Sequence, residues 1–315
     1  MADSLNYAQS YEQTLAQAFP YTLNFGALYA SSNNQRYRCK GGQTIELPVI
    51  TTSGRTDADR DSIGSYGRAY ENAWEEKTLS HHRCWSTLIH PMDVDQTDYA
   101  ATIRNITRVF NDEQKFPEMD AYTVSALYEQ WIDADQTPTR VTLSSANLLS
   151  TFDSLMEAMS EARVPVQGRV LYVTPSVMTI LKSVSGLTRS LDVKQGDGSA
   201  INRTVTMLDG VQVVEVPAAL MKTAYDFTSG WEADDDAEQI SMLLIHPDAV
   251  VTPVSYQFSR IDPPTALTGG KYLYYEESAE DVFLLEERIG GIAFVLPELE
   301  DEDDEEEENG NSANL

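Results

Sequence analysis

The sequence predicts an α+β protein arranged around one long helical spine. Three observations carry that prediction. Between residues 97 and 132, Tyr99, Ile103, Ile106 and Phe110 recur at helical spacing, and Val124, Leu127, Tyr128 and Trp131 repeat the stripe further on. Before the spine lie extended, aromatic-rich runs separated by a long polar loop. After it, helices and strands follow in an order that lacks the regular alternation of a doubly wound sheet.

Residues 1–35 hold Tyr7, Tyr11, Leu15, Phe19, Tyr21, Leu23, Phe25 and Leu28. One short helical register, Tyr7, Tyr11 and Leu15, stops before Pro20. A segment this aromatic is not a solvated tail. It needs an apolar surface, either on its own domain or on a neighbour. Residues 44–50 alternate loosely, and Pro48 marks them as an edge strand. The returning run covers residues 70–79 and contains Trp74. The connection between the two is far longer than a tight hairpin turn. It sets Arg55, Arg60 and Arg68 against Asp57, Asp59 and Asp61. Two readings of these six charges stand side by side: ion pairs to a partner protein, or a solvated surface loop.

Within the spine, Pro117 is expected to break the helix and to push Phe116 out of helical dihedrals. Residues 133–140 form a polar linker. Leu148, Phe152, Leu155, Met156 and Met159 mark an amphipathic helix, with Ser144 or Ser145 as its cap. Residues 168–174 make a buried strand, and Thr174-Pro175 opens a short helix holding Val177, Met178 and Leu181. A hairpin turns about Asp209-Gly210. Further strands are expected at 240–245, 250–258, 271–275, 282–285 and 292–296, with no internal repeat.

Of 315 residues, 42% are hydrophobic, enough for a sizeable core in two domains or subdomains. The net charge is −28, and ten acids between Glu298 and Glu308 still leave −18 on the rest. Such a surface repels phosphates, which argues against direct nucleic-acid recognition. The acidic C-terminal run has no apolar period and reads as a disordered, solubilising tail. Cys39 and Cys84 read as two reduced thiols. No apolar run approaches the roughly 20 residues that cross a bilayer, and no secretory signal opens the chain. A cytosolic site of synthesis is therefore expected.

Chemistry-bearing patterns are sparse. His81, His82 and Cys84 sit close together, but without the second ligand pair that a zinc site needs. His90-Pro91 and His246-Pro247 read as strand-end turns. No nucleophile elbow, phosphate loop, dinucleotide fingerprint or zinc-protease motif is present. No catalytic, cofactor-binding or metal-binding residue is assigned, and the chain is not expected to be an enzyme. Its length goes into projecting segments, and segments that need outside surfaces imply assembly.

Four phrases carry a resemblance: WSTLIHPMDVDQT (residues 85–97), EQKFPEMDAYT (113–123), EARVPVQGRVLYVTPSV (161–177) and MLLIHPDAVVTPVSY (242–256). With the order of parts, they resemble the major capsid proteins of tailed bacteriophages with the Hong Kong 97 fold, specifically a group from phages of Gram-positive hosts. The resemblance spans residues 3–296 and leaves the acidic tail outside. It implies an N-terminal arm (1–35), an extended loop (36–90), a peripheral domain with the spine (91–135), an axial domain (136–249), peripheral return strands (250–297) and a tail (298–315).

It further implies a head protein that joins copies of itself as hexamers and pentamers into an icosahedral shell. That shell would belong to the virion, after synthesis in the bacterial cytoplasm. The partners implied are other copies, a portal protein and enclosed double-stranded DNA that is not bound sequence-specifically. The chain enters its arm almost at once, so a separate scaffolding protein is expected. Arg55, Asp57, Asp59, Arg60, Asp61, Arg68, Tyr7, Tyr11 and Phe19 are the expected assembly contacts. An encapsulin-like nanocompartment is the neighbouring alternative, and an enzyme of unrecognised type the distant one.

Overall fold

The structure is a computed structural model that describes residues 22–40, 43–55, 67–96, 102–184 and 207–298. The chain divides into two compact units: Met1–Thr123 with Val250–Leu285, and Val124–Ala249 with Glu286–Leu315. The α+β class is the expected one.

In the first unit, strand Thr44–Thr52 pairs antiparallel with Tyr70–Thr78 over nine residue pairs to form a long hairpin. Arg38–Cys39 adds a short third strand, but only opposite Ile45 and Glu46. Beyond Glu46 the strand is paired on one side alone, and its Pro48 sits there, where a missing N–H costs least. At the root, Ile45, Leu47, Leu79, Val251 and Phe283 form an apolar cluster. A second sheet sets Tyr272–Glu280 between Val254–Asp262 and His82–Ile89. Of the strand His82–Ile89, only its end at His90-Pro91 was anticipated from the sequence.

The spine starts at Thr102, whose hydroxyl accepts from the Asn105 amide. Helix Ile103–Phe110 runs through a π-helical stretch, Asn111–Lys115, straight into helix Phe116–Asp133. The expected break at Pro117 is therefore absent, and Phe116 stays helical at φ −69°, ψ −40°. The wider π-turn just before the proline gives the ring room and absorbs its missing N–H. Of the predicted stripe, Phe110, Val124, Leu127, Tyr128 and Trp131 pack, and Tyr99 lies outside the described residues. Phe110 stacks on Trp85 at 3.9 Å within the first unit. Within the second, Val124, Leu127 and Trp131 are buried, and Tyr128 meets Phe294 edge-on.

The second unit is built on a six-stranded sheet in the order Thr139–Arg140, Ile292–Leu296, Met242–Ile245, Val170–Val173, Val211–Glu215, Met207–Leu208. Strand Ile292–Leu296, expected among the peripheral return strands, pairs with Met242–Ile245 here instead. Its run of apolar residues suits the centre of a sheet covered on both faces. Helices Leu148–Glu161 and Pro175–Ser183 pack on one face through Phe152, Leu155, Met159, Val177 and Leu181. The first helix is entered through Asn147, not Ser144 or Ser145. The Asn147 carboxamide ties the preceding turn by accepting from the Ser144 amide and donating to the Thr142 carbonyl. Asp209 and Gly210 both have positive φ, 49° and 83°, as a two-residue hairpin turn requires.

Candidate functional site

The hairpin presents the most distinctive surface of the first unit. Residues facing each other across two strands share a face, so Pro48 lies with Trp74, Ile50 with Asn72, and Thr52 with Tyr70. That face carries three large apolar side chains in the open: Trp74 (46% exposed), Tyr70 (52%) and Ile50 (64%). The opposite face is buried only at the root, through Ile45 and Leu47. Among the described residues this is an exposed apolar row of the kind that marks protein–protein contact sites.

The charges beside the row hold its root in place. The Glu46 carboxylate, almost fully buried, accepts from Arg38 and from Lys40 (2.9 Å), and Lys40 also reaches Glu76. Hydrogen bonds from Lys40 and Arg38 hold Glu46 below the usual carboxylate range. Bonds to Glu76 and Glu46 raise Lys40. The Arg38 guanidinium then lies 3.8 Å over the Trp74 ring, a cation–π contact that fixes the indole on the open face.

Of the expected contact residues, Arg55 and Arg68 are described and exposed. Arg68 sits 5.6 Å from the Tyr70 ring, joining the open row. Tyr7, Tyr11, Phe19, Asp57, Asp59, Arg60 and Asp61 lie outside the described residues. The expected arm is described from residue 22 onward, and there it packs on the first unit. Phe25 and Leu28 are fully buried. Trp74, Tyr70 and Ile50 were not singled out from sequence as contacts. For Tyr70 and Trp74 the available signal was their place on one face of a strand whose other face carries Glu71, Glu75 and Lys77; Ile50 carried none, because Ile45, Leu47 and Val49 make the other face of its strand apolar as well.

The second sheet has an outer row as well. Tyr256, Phe258, Tyr275 and Leu88 share its outward side, with Phe258 and Tyr275 ring centroids 6.3 Å apart. Its inner side faces the spine: Trp85 stacks on Phe110, Lys115 reaches Glu276 (2.9 Å), and Arg83 reaches Glu118 (2.5 Å). Burial raises Glu118, but hydrogen bonds from His81 and Arg83 outweigh it and hold the group below its ordinary value. Burial lifts Glu280 above it. Tyr274, half-buried and bonded to Glu276, is pushed up to about 12.

The histidines do not gather. His81 stacks on Tyr122 at 3.8 Å, His82 meets Glu277 at 2.6 Å, and Cys84 is exposed. His90 accepts from the Met92 amide through Nδ1, and His246 from the Asp248 amide, both as strand-end turns. Among the described residues, no group of three His, Cys, Asp or Glu side chains is placed to hold a metal ion. Among them, no helix is long and apolar enough to cross a membrane.

This architecture is that of phage capsids. The capsid structure of the cyanophage P-SCSP1u superposes with a TM-score of 0.62 over 93% of each chain, at 13% identity. The mature capsid of bacteriophage PhiM1 gives 0.58 over 81% of this chain and 82% of that one, at 16% identity. The capsid of Ralstonia phage GP4 gives 0.54 over 84% and 85%, at 12% identity. The chain thus has the Hong Kong 97-type capsid fold expected from its sequence phrases. No protein-family model matches the chain, and no curated protein does.

Proposed function

We propose that this chain is the major head protein of a tailed bacteriophage. Copies join as hexamers and pentamers into an icosahedral shell that encloses double-stranded DNA in the virion. The observation that carries the reading is a capsid fold followed over 93% of both chains in the cyanophage comparison. The hairpin's open row, Trp74, Tyr70 and Ile50, supports it, because exposed apolar rows of this kind mark protein–protein contacts.

In this reading the first unit carries the arm, the extended loop and the peripheral domain, and the second unit is the axial domain. Tyr7, Tyr11 and Phe19 would lie on a neighbour. Arg55, Asp57, Asp59, Arg60, Asp61 and Arg68 would set register between copies more than supply affinity. Many modest contacts, multiplied by symmetry, hold the shell. A net charge of −28 suits a container whose wall must not adhere to DNA. A separate scaffolding protein and a portal protein are the other partners of this reading.

Negative-stain microscopy of the purified chain, with and without a candidate scaffolding protein, tests it. Closed icosahedral shells are expected when the scaffold is present. A protein that stays monomeric at high concentration in every condition overturns it, and shells filled with enzyme cargo move the reading to a nanocompartment.

A further inference from the structure

We infer that one turn of the spine helix, Asp120 to Thr123, is the common anchor of the N-terminal segment and the hairpin, so that the two take up their positions together. The inference rests on the proposed function for its consequence in assembly. Its geometry stands apart from that reading.

Asp120 is fully buried. Its Oδ2 accepts from the Asn24 amide and from the Asn24 side chain, both at 2.9 Å, and its Oδ1 accepts from the Phe25 amide at 3.2 Å. These donors stand at the start of the short helix Gly26–Tyr29, which has no side-chain cap of its own. The spine therefore supplies the cap. Three residues on, the Thr123 hydroxyl donates to the Met119 carbonyl (2.7 Å), which leaves its oxygen to accept from the Tyr29 hydroxyl at 3.0 Å. The spine thus grips the N-terminal segment at Asn24, Phe25 and Tyr29.

The same turn grips the hairpin. The Tyr122 hydroxyl donates to Asp281 Oδ1 at 2.7 Å. The other oxygen of Asp281 accepts from the Ser80 amide at 2.7 Å and from its hydroxyl at 3.2 Å. Ser80 directly follows Leu79, the buried residue that roots the returning strand of the hairpin. The Val282 amide completes the set around Asp281 at 2.8 Å. His81, stacked on the Tyr122 ring, holds that phenol in line. Two buried carboxylates are satisfied by amide and hydroxyl donors from four stretches of chain, at Asn24-Phe25, Ser80, Tyr122 and Val282. Such charge-assisted networks are stiff, and the loss of one member weakens the rest. Asp120 and Tyr122 act here as positioning residues. Neither carries the exposed apolar row.

Amide hydrogen exchange on the unassembled full chain tests the coupling. Tyr122→Phe keeps the ring on His81 and removes one hydroxyl. It is expected to speed exchange about tenfold at Ser80, the scale of one hydrogen bond to a charged group. Coupling also requires faster exchange at Asn24 and Phe25, which Tyr122 does not bond. Asp120→Asn is expected to give the reciprocal pattern, with Ser80 loosened from the far side. If each variant loosens only the segment it touches, the common anchor is refuted. Should Asp120→Asn not fold, Tyr122→Phe decides alone. Failure of the wild-type chain to form shells even with its scaffolding protein present would sink the capsid reading and leave the exchange result intact. If the wild type does form shells, Tyr122→Phe is expected to give fewer closed ones.

Discussion

Replacing Trp74 by serine should separate assembly from folding. The side chain is 46% exposed on the open face of the hairpin. For a residue that buries up to about 250 Å² when fully enclosed, this leaves on the order of 115 Å² for a partner to cover. At ~25 cal/mol/Å² the contact is worth about 3 kcal/mol, more than a hundredfold in its equilibrium constant. The isolated chain loses the half of the indole that it already covers, about 3 kcal/mol by the same measure, together with the Arg38 contact over the ring. The assay is a titration of chain concentration, with particles counted by microscopy and the unassembled fraction followed by sedimentation. Trp74→Ser should lower the unfolding transition and, at temperatures where the variant is still fully folded, raise the threshold for particle formation strongly. Particles forming at the wild-type threshold would refute the assignment of this face as a contact.

Other outcomes follow from the interior. Arg169 is 1% exposed, and its guanidinium donates to the carbonyls of Met156, Val164 and Pro165 and to the Ser160 hydroxyl. Arg169→Met strands those acceptors and should cost about 3–5 kcal/mol in urea unfolding; a change under about 1 kcal/mol would contradict it. A β-carbon at Gly290 would lie 2.6 Å from that of Ala162, so Gly290→Ala should cost about 1–3 kcal/mol, recovered in calorimetry by adding Ala162→Gly. Burial raises Glu280 above its ordinary 4.5, with His81 and Lys115 opposing and Glu118 and Glu276 adding to it. A raised folded-state pKa means stability that is full below the unfolded pKa and lost as pH rises through the folded one. Glu280→Gln should therefore melt above the wild type near neutral pH, with the gap closing as pH falls toward about 4. A variant that melts below the wild type at neutral pH would reverse the sign.

Much of this fold can be read from local pattern. Ile292–Leu296 is a plain apolar run, Asp209-Gly210 names its own turn, and Thr174-Pro175 opens its helix where a proline is tolerated. The strand His82–Ile89 escaped because its inward row, Arg83, Trp85, Thr87 and Ile89, mixes charge and hydroxyl with apolar groups. What makes it a strand is its pairing with Tyr272–Glu280, almost two hundred residues away. Phe116 was misjudged because the rule for residues before proline assumes an ordinary α-turn, and a π-turn relaxes it. Asp120 could have been found. It falls with Pro117, Ala121 and Val124 on one helical stripe, and an acid on a stripe otherwise apolar signals a buried, partnered carboxylate. Ser80 and Asn24, its network's distant donors, carry no such sign.

The first unit is written in two instalments, with the whole middle of the chain between them. Ser80 and Tyr122 emerge from the ribosome early, but Asp281, which binds both, comes some 160 residues after Tyr122. At about 5–20 residues per second that delay lasts on the order of ten to thirty seconds. Through this interval a nascent chain carries its hairpin without the carboxylate that roots it. In the capsid reading proposed above, the contact surface of a new subunit is finished only once Asp281 has been made.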